Sequence, residues 1–302
     1  MAVLAVGAQR FALPSRALLG RSAACSIQLE ELTVSGEHVV FSFAGDRWSV
    51  RDLGSRNGTT VNDVRLGAGL RVEITKGDVI ACGSLSVKLL ADGPPGPALV
   101  TDTDEVVETC GGILALPSPE SPKVSLVHGA GGWVIEENDE GRPLVHGERI
   151  EIDGKSWQVL APLEDSGELL ATAQPSQPPR ILGRLTLVFE ASRDEEHVEI
   201  SLPEISELIT GRASNYLLLL LARERFKDRD QPLVDRGWVY SADLARMLRF
   251  DLERLNVEVF RARNVFSTIS VIDAGRVIER RSVTRQIRLG TDRFELPSSS
   301  GK

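Results

Sequence analysis

The chain has 302 residues, 42% of them hydrophobic and 26% charged, which is enough for two or three domains with their own cores. The net charge of −8 excludes a protein that coats nucleic acid along its whole length, although the charge is unevenly placed: residues 1–97 carry +1, residues 98–210 carry −15 and residues 211–302 carry +6. Cys25, Cys82 and Cys110 lie far apart with no CxxC, which excludes a zinc knuckle, a thioredoxin-type site and a disulfide scaffold.

The start, Met1-Ala2-Val3-Leu4, has neither a charged n-region nor a long apolar stretch, so no signal peptide is expected. The longest apolar run, Tyr216–Ala222, is seven residues and too short to span a bilayer. A cytoplasmic protein without membrane contact is the expectation. Turn-rich residues 92–97 (DGPPGP) and the Pro/Ser/Gln stretch 174–179 divide the chain into residues 1–92, 98–165 and 182–297, with a linker over 166–181.

In residues 1–92, short apolar runs recur at Val3–Val6, Val39–Phe43, Trp48–Val50, Thr59–Val61, Val79–Ala81 and Leu85–Leu90. Gly45-Asp46, Asn57-Gly58, Asn62-Asp63 and Gly77-Asp78 punctuate them, which predicts an all-β sandwich with hairpin connections. Three loop motifs follow in order: Gly20-Arg21, then Ser35-Gly36-Glu37-His38, then Leu53-Gly54-Ser55-Arg56-Asn57-Gly58-Thr59-Thr60-Val61-Asn62. Together they resemble the forkhead-associated (FHA) domain, with its GR, SxxH and LGSRNGTxVN pattern. The resemblance covers nearly all of residues 1–92 and implies a phosphothreonine-peptide clamp on the loop end. By motif position, Arg21 and Ser35 would grip the phosphate, and Arg56 and Asn57 the phosphate region and the peptide backbone. Gly20, His38, Gly58 and Asn62 would shape and pin the loops. The chemistry fits: a phosphate brings nearly two negative charges, which an Arg fork meets with charge-assisted hydrogen bonds and Ser and Asn meet with neutral donors. Gly36 departs from the family, which often has a basic or amide side chain there, so one side-chain contact is missing.

Residues 98–165 read as a small, acidic, β-rich middle module, with strands near Lys123–Val127, Trp133–Glu136, Glu148–Ile152 and Trp157–Leu160. Residues 131–135 faintly echo residues 46–50, without the GR or SxxH elements. Gly129–Gly132 lacks a following helix, and Gly154-Lys155-Ser156 has Arg149 where a P-loop needs Gly, so no nucleotide site is expected. Acidic residues at 102, 104, 105, 108, 136, 137, 139 and 140 read as a solvated face rather than a metal site.

In residues 182–297 the pattern predicts strands Arg184–Ala191 and His197–Leu202 around a turn at 192–196. Helices follow at Ala213–Lys227, from Ser241 as N-cap to Leu248, and at Leu252–Phe266; a basic hairpin then spans Arg276–Arg281 and Val283–Leu289, with Arg293–Leu296 after it. On the third helix Leu255, Val259, Ala262 and Phe266 share one face, with Leu252 beside them. Arg254, Val257, Arg261 and Asn264 share the other, with Arg263 at the margin. The element order, and the piece from Leu255 to Arg263, resemble the α+β winged-helix DNA-binding domain of OmpR/PhoB-type regulators. That resemblance implies DNA contacts by Arg254, Val257, Arg261 and Arg263 from the helix and Arg280, Arg281, Arg285 and Arg288 from the hairpin. Glu253 and Glu258 near that face, and the missing Gly-x-Gly-Tyr ending, depart from the family.

His38, His128, His146 and His197 form neither an HExxH helix nor a nucleophile elbow, and no triad spacing is specified, so neither an enzyme nor a cofactor is expected. The reading is a multidomain phosphothreonine-peptide-binding signalling protein. Its partner would be a Ser/Thr kinase or that kinase's substrate. It would act as a phosphorylation-responsive transcriptional regulator that binds double-stranded DNA through its third module; the alternative is a non-DNA adaptor whose third module contacts protein.

Overall fold

The structure is a computed structural model. It describes every residue except 68, 110–111, 130–131, 138–139, 162–179, 193–196, 212 and 298–302, so the expected linker from 166 to 179, the turn at 193–196, Cys110 and Asp139 lie outside the described residues. The chain forms two compact units: Met1–Thr109 with Val145–Gln177, and Cys110–Leu144 with Pro178–Lys302.

The first unit contains the expected sandwich. One sheet runs, edge to edge, Gln9–Ala12, Ala2–Val6, Leu85–Asp92, Val79–Cys82, Thr59–Val61 and Val64–Arg65. The other runs Ile27–Gln28, Arg16–Gly20, Val39–Ala44, Arg47–Asp52 and Arg71–Ile74. Their facing side chains, among them Leu4, Leu19, Phe41, Trp48, Val50, Ile80 and Leu89, make one apolar core. Burying a side chain of this size stabilises the fold by about 1.5–3 kcal/mol. Two-residue hairpin turns set the register. Gly45 (φ 58°) and Asp46 (φ 63°) join one strand pair, and Asn62 (φ 48°) and Asp63 (φ 67°) join another; Gly, Asn and Asp tolerate this left-handed backbone best.

Strand Ala2–Val6 is buried on both faces. Ala2, Leu4 and Val6 enter the sandwich core, while Val3 and Ala5 join Met1, Leu90, Ala98, Val100 and Leu160 in a second core. That second core is covered by a third sheet, ordered Val106–Glu108, Ala98–Val100, Lys155–Leu160 and Arg149–Ile152.

Residues 98–165 therefore do not gather into one module. Their two ends make the third sheet of the first unit, through pairs such as Ala98 with Leu160. Strands Ile113–Ser118, Ser121–Gly129, Gly132–Glu137 and Glu140–Pro143 form a separate antiparallel meander that belongs to the second unit.

The second unit also holds a sheet ordered Glu207–Gly211, Val198–Leu202, Leu187–Ala191 and Phe294–Glu295. Three helices follow it: α1 (Ala213–Lys227), α2 (Ser241–Leu248) and α3 (Leu252–Thr268). A last sheet pairs Val239–Tyr240 and Ile278–Arg281 on either side of Gln286–Leu289. Helix α1 is buried nearly all round from Leu217 to Ala222. Its Arg225, 4% exposed, is satisfied by Asp292 through Nε to Oδ1 at 2.8 Å and Nη2 to Oδ2 at 2.7 Å. Ser241 is the first helical residue of α2 rather than its cap; Tyr240 occupies the cap position without a side-chain bond. Asp251 caps α3 by accepting from the Arg254 amide at 2.7 Å. No helix among the described residues is long and apolar enough to cross a membrane.

Candidate functional site

The loop end of the sandwich brings three sequence motifs together. Strand Arg16–Gly20 ends beside residues 33–38, and the Arg21 amide donates to Ser35 O at 2.9 Å while the Ser22 amide donates to Gly36 O at 2.8 Å. A Cβ on Gly20 would overlap the Gly36 carbonyl, so this approach requires glycine. The Arg21 Nε donates to Val34 O at 2.8 Å, which fixes the root of the guanidinium.

His38 is fully buried and ties two loops. Its Nδ1 accepts from the Ser35 amide at 3.0 Å, which leaves the proton on Nε2 to be donated to Gly58 O at 3.2 Å. Ser35 Oγ accepts from the Arg56 amide at 3.0 Å, and Asn57 Nδ2 donates to Thr33 O at 2.7 Å. Arg21, Ser35, Arg56 and Asn57 thus converge on one rim. Gly58 (φ 80°) turns the chain into strand Thr59–Val61. Asn62 pins the neighbouring hairpin by donating to Asp78 Oδ1 at 2.8 Å and accepting from the Val79 amide at 3.0 Å.

The loop carrying Arg56 and Asn57 is built on Asp52, whose structural role sequence reasoning missed. Its Oδ1 accepts from the amides of Gly54 (2.7 Å) and Ser55 (2.8 Å). Its Oδ2 accepts from the hydroxyls of Ser55 and Thr59, both at 2.6 Å. Burial alone would raise the carboxyl's pKa, but these four donors outweigh it and hold Asp52 at about 2. The available signal was an Asp two residues before a Gly-Ser pair, an Asx-turn pattern. Arg65 was also missed; its Nη2 donates to Asn57 O at 3.4 Å.

Among the described residues no carboxylate pairs with the rim arginines Arg21 and Arg56, or with Arg65 beside the rim, whereas Arg10, Arg47 and Arg149 of the same unit pair with Asp104, Glu73 and Asp102. Among the described residues no group of His, Cys, Asp and Glu is placed to hold a metal.

The eight DNA-contact candidates do not form one open surface. The meander from Ile113 to Pro143 covers part of α3 and the hairpin, with Phe260 packed among Ile113, Ala115 and Val127. Arg263, 2% exposed, makes a bidentate pair with Glu136, Nη1 to Oε2 at 2.7 Å and Nη2 to Oε1 at 3.0 Å, and also donates to Ile278 O. Arg280 Nε lies 3.0 Å from the same carboxylate, and its Nη2 donates to Asn256 Oδ1 at 2.8 Å. Burial would raise the Glu136 pKa, but the two guanidiniums hold it below the usual carboxylate range. These two arginines, expected to face DNA, are instead partners of an internal acid.

Arg285 pairs with Glu140 at 2.6 Å, and Arg261 with Glu258 at 2.9 Å. Arg281 and Arg288 stack on Trp238, 4.2 and 4.3 Å from its ring centre, and pair with Asp235 and Glu279. Arg254 lies over the Phe250 ring, exposed, and Val257 is half-buried.

The FHA domain family matches residues 17–83. No curated protein matches the sequence. Among solved structures, the chain is similar to the FhaA FHA domain in complex with the intracellular domain of another protein: 25% identity, 30% of this chain and 99% of that one, TM-score 0.28. It is similar to an FHA domain from a study of phosphothreonine-dependent interactions, at 25% identity over 29% of this chain and 93% of that one, TM-score 0.27. It is also similar to Mycobacterium tuberculosis EmbR in complex with a low-affinity phosphopeptide, at 25% identity over 31% of this chain and 24% of that one, TM-score 0.29.

Proposed function

We propose that the FHA domain at residues 17–83 makes this chain a phosphothreonine-peptide-binding signalling protein. The observation that carries the reading is the convergence of Arg21, Ser35, Arg56 and Asn57 on one rim whose arginines have no carboxylate partner among the described residues. A dianionic phosphate would supply the missing acceptors. Ser35 would use its hydroxyl proton, since its oxygen already accepts from the Arg56 amide. The partner is a phosphorylated Ser/Thr kinase or its substrate.

We read residues 182–297 as a winged helix. Supporting this are the sheet, α1, the short strand Val239–Tyr240, α2, α3 and the hairpin in that order, with the short strand paired to the hairpin. Of the two roles for this part, protein contact is favoured over DNA binding, because Arg263 and Arg280 are spent on Glu136 and Phe260 is packed against the chain's own meander. The chain is then an adaptor joining a phosphorylated protein to another component.

The test is anisotropy of degenerate phosphothreonine peptides against the full chain, beside retention on heparin and on random duplex DNA. The reading predicts peptide binding that Arg21→Ala/Ser35→Ala abolishes, and weak retention on both columns. Unchanged peptide affinity in that variant would overturn the FHA half. Strongly salt-dependent retention on duplex DNA would return the transcriptional-regulator reading.

A further inference from the structure

Arg65 lies beside the phosphate rim, next to Asn57 and Gly58. The hairpin that joins Thr59–Val61 to Val64–Arg65 pairs it with Thr60, and its guanidinium folds back over Gly58, where any Cβ would overlap it. Its Nη2 reaches Asn57 O at 3.4 Å, a long bond that leaves most of the five guanidinium donors unused. Glu31, which flanks Thr33, accepts through Oε1 from the Thr33 amide at 3.3 Å and from the Thr33 hydroxyl at 3.2 Å. The Thr33 hydroxyl in turn lies 2.7 Å from that of Ser84, which continues the polar rim past Asn57.

We propose that Arg65 is a specificity residue that reads a second negative charge on the bound peptide, an Asp or Glu side chain close to the phosphothreonine. The inference rests on the phosphothreonine reading above. A carboxylate matches the guanidinium fork in two parallel bonds and would displace the weak contact to Asn57 O. The exposed arginines Arg47 and Arg149 of the same unit show the alternative state, each already holding an acid of its own chain.

The experiment uses the full chain and phosphothreonine peptide pools, degenerate except for one flanking position fixed as Asp, Ala or Lys. Anisotropy is measured with wild type, Arg65→Ala, Arg65→Glu and Arg21→Ala. The proposal predicts that Asp at one position tightens wild-type binding about three- to tenfold over Ala, the scale of a partly exposed charge-assisted pair. Arg65→Ala should erase that gain while binding the Ala pool within about twofold of wild type, and Arg65→Glu should favour Lys at the same position. The proposal is overturned if no position favours Asp in wild type, or if the gain persists in Arg65→Ala. It is also overturned if Arg65→Ala weakens every pool equally, which is what support of the Asn57 loop or contact with the phosphate itself would do. Wild-type binding that Arg21→Ala abolishes shows that the underlying reading stands even if Arg65 fails; no binding of any pool to wild type removes both.

Discussion

Replacing Asp52 with Asn tests the hydrogen-bond network that supports the phosphopeptide rim. Folding moves the carboxyl from 3.8 to about 2. That depression corresponds to about 2 kcal/mol of stability at neutral pH. The folded-state pKa is depressed, so the contribution is complete above about pH 5 and is lost as pH falls through about 2. The same linkage leaves roughly half of it at pH 3. Asp52 is 5% exposed, so solvent screening does little to reduce these values. Hydrogen exchange at the Phe41 and Val50 amides, in strands of the same sandwich, reports opening of that unit. The expected result is a destabilisation of about 2–3 kcal/mol at pH 7 that falls to roughly half at pH 3. A destabilisation equal at both pH values, or none at pH 7, would refute the argument that the ionised carboxylate holds the loop.

Other consequences follow from single groups. Glu136→Ala leaves Arg263 and Arg280 without their carboxylate, and should cost the second unit about 3–5 kcal/mol in urea unfolding; a cost below about 1 kcal/mol would contradict the pairing. Gly20→Ala drives a methyl into the Gly36 carbonyl, and should abolish phosphopeptide binding in the same anisotropy assay while Gly36→Ala, in open space, is tolerated. Burial, with the charge of Asp52 adding to it, pushes the Cys82 thiol up to about 12; Cys82 should therefore resist iodoacetamide in the native protein at pH 8 and react only after unfolding, as read by mass spectrometry.

The sandwich was legible because short apolar runs recur between turns that use Gly, Asn and Asp where the backbone is left-handed. The rim was legible because its residues cluster in three loops. Asp52 escaped, since its work is done through local donors rather than through the ligand. Strand Glu207–Gly211 carries too little apolar pattern to announce itself, and Val239–Tyr240 is only two residues long. The division of residues 98–165 depends on pairing Ala98 with Leu160, a choice between distant strands that local pattern does not encode.

On α3, Leu255, Val259, Ala262 and Phe266 are buried as the helical wheel requires, while Leu252, placed beside them, is 44% exposed. The second buried face was missed because an arginine reads as solvent-facing until its partner is seen, and Glu136 lies 127 positions from Arg263.

The most direct test of the central claim is amide chemical-shift mapping of the full chain on titration with a phosphothreonine peptide pool and its unphosphorylated counterpart. The account predicts that the phosphorylated pool shifts the amides of Arg21, Ser35, Arg56 and Asn57, and that the unphosphorylated pool leaves them in place. Shifts confined to other surfaces, or identical responses to both pools, would contradict it.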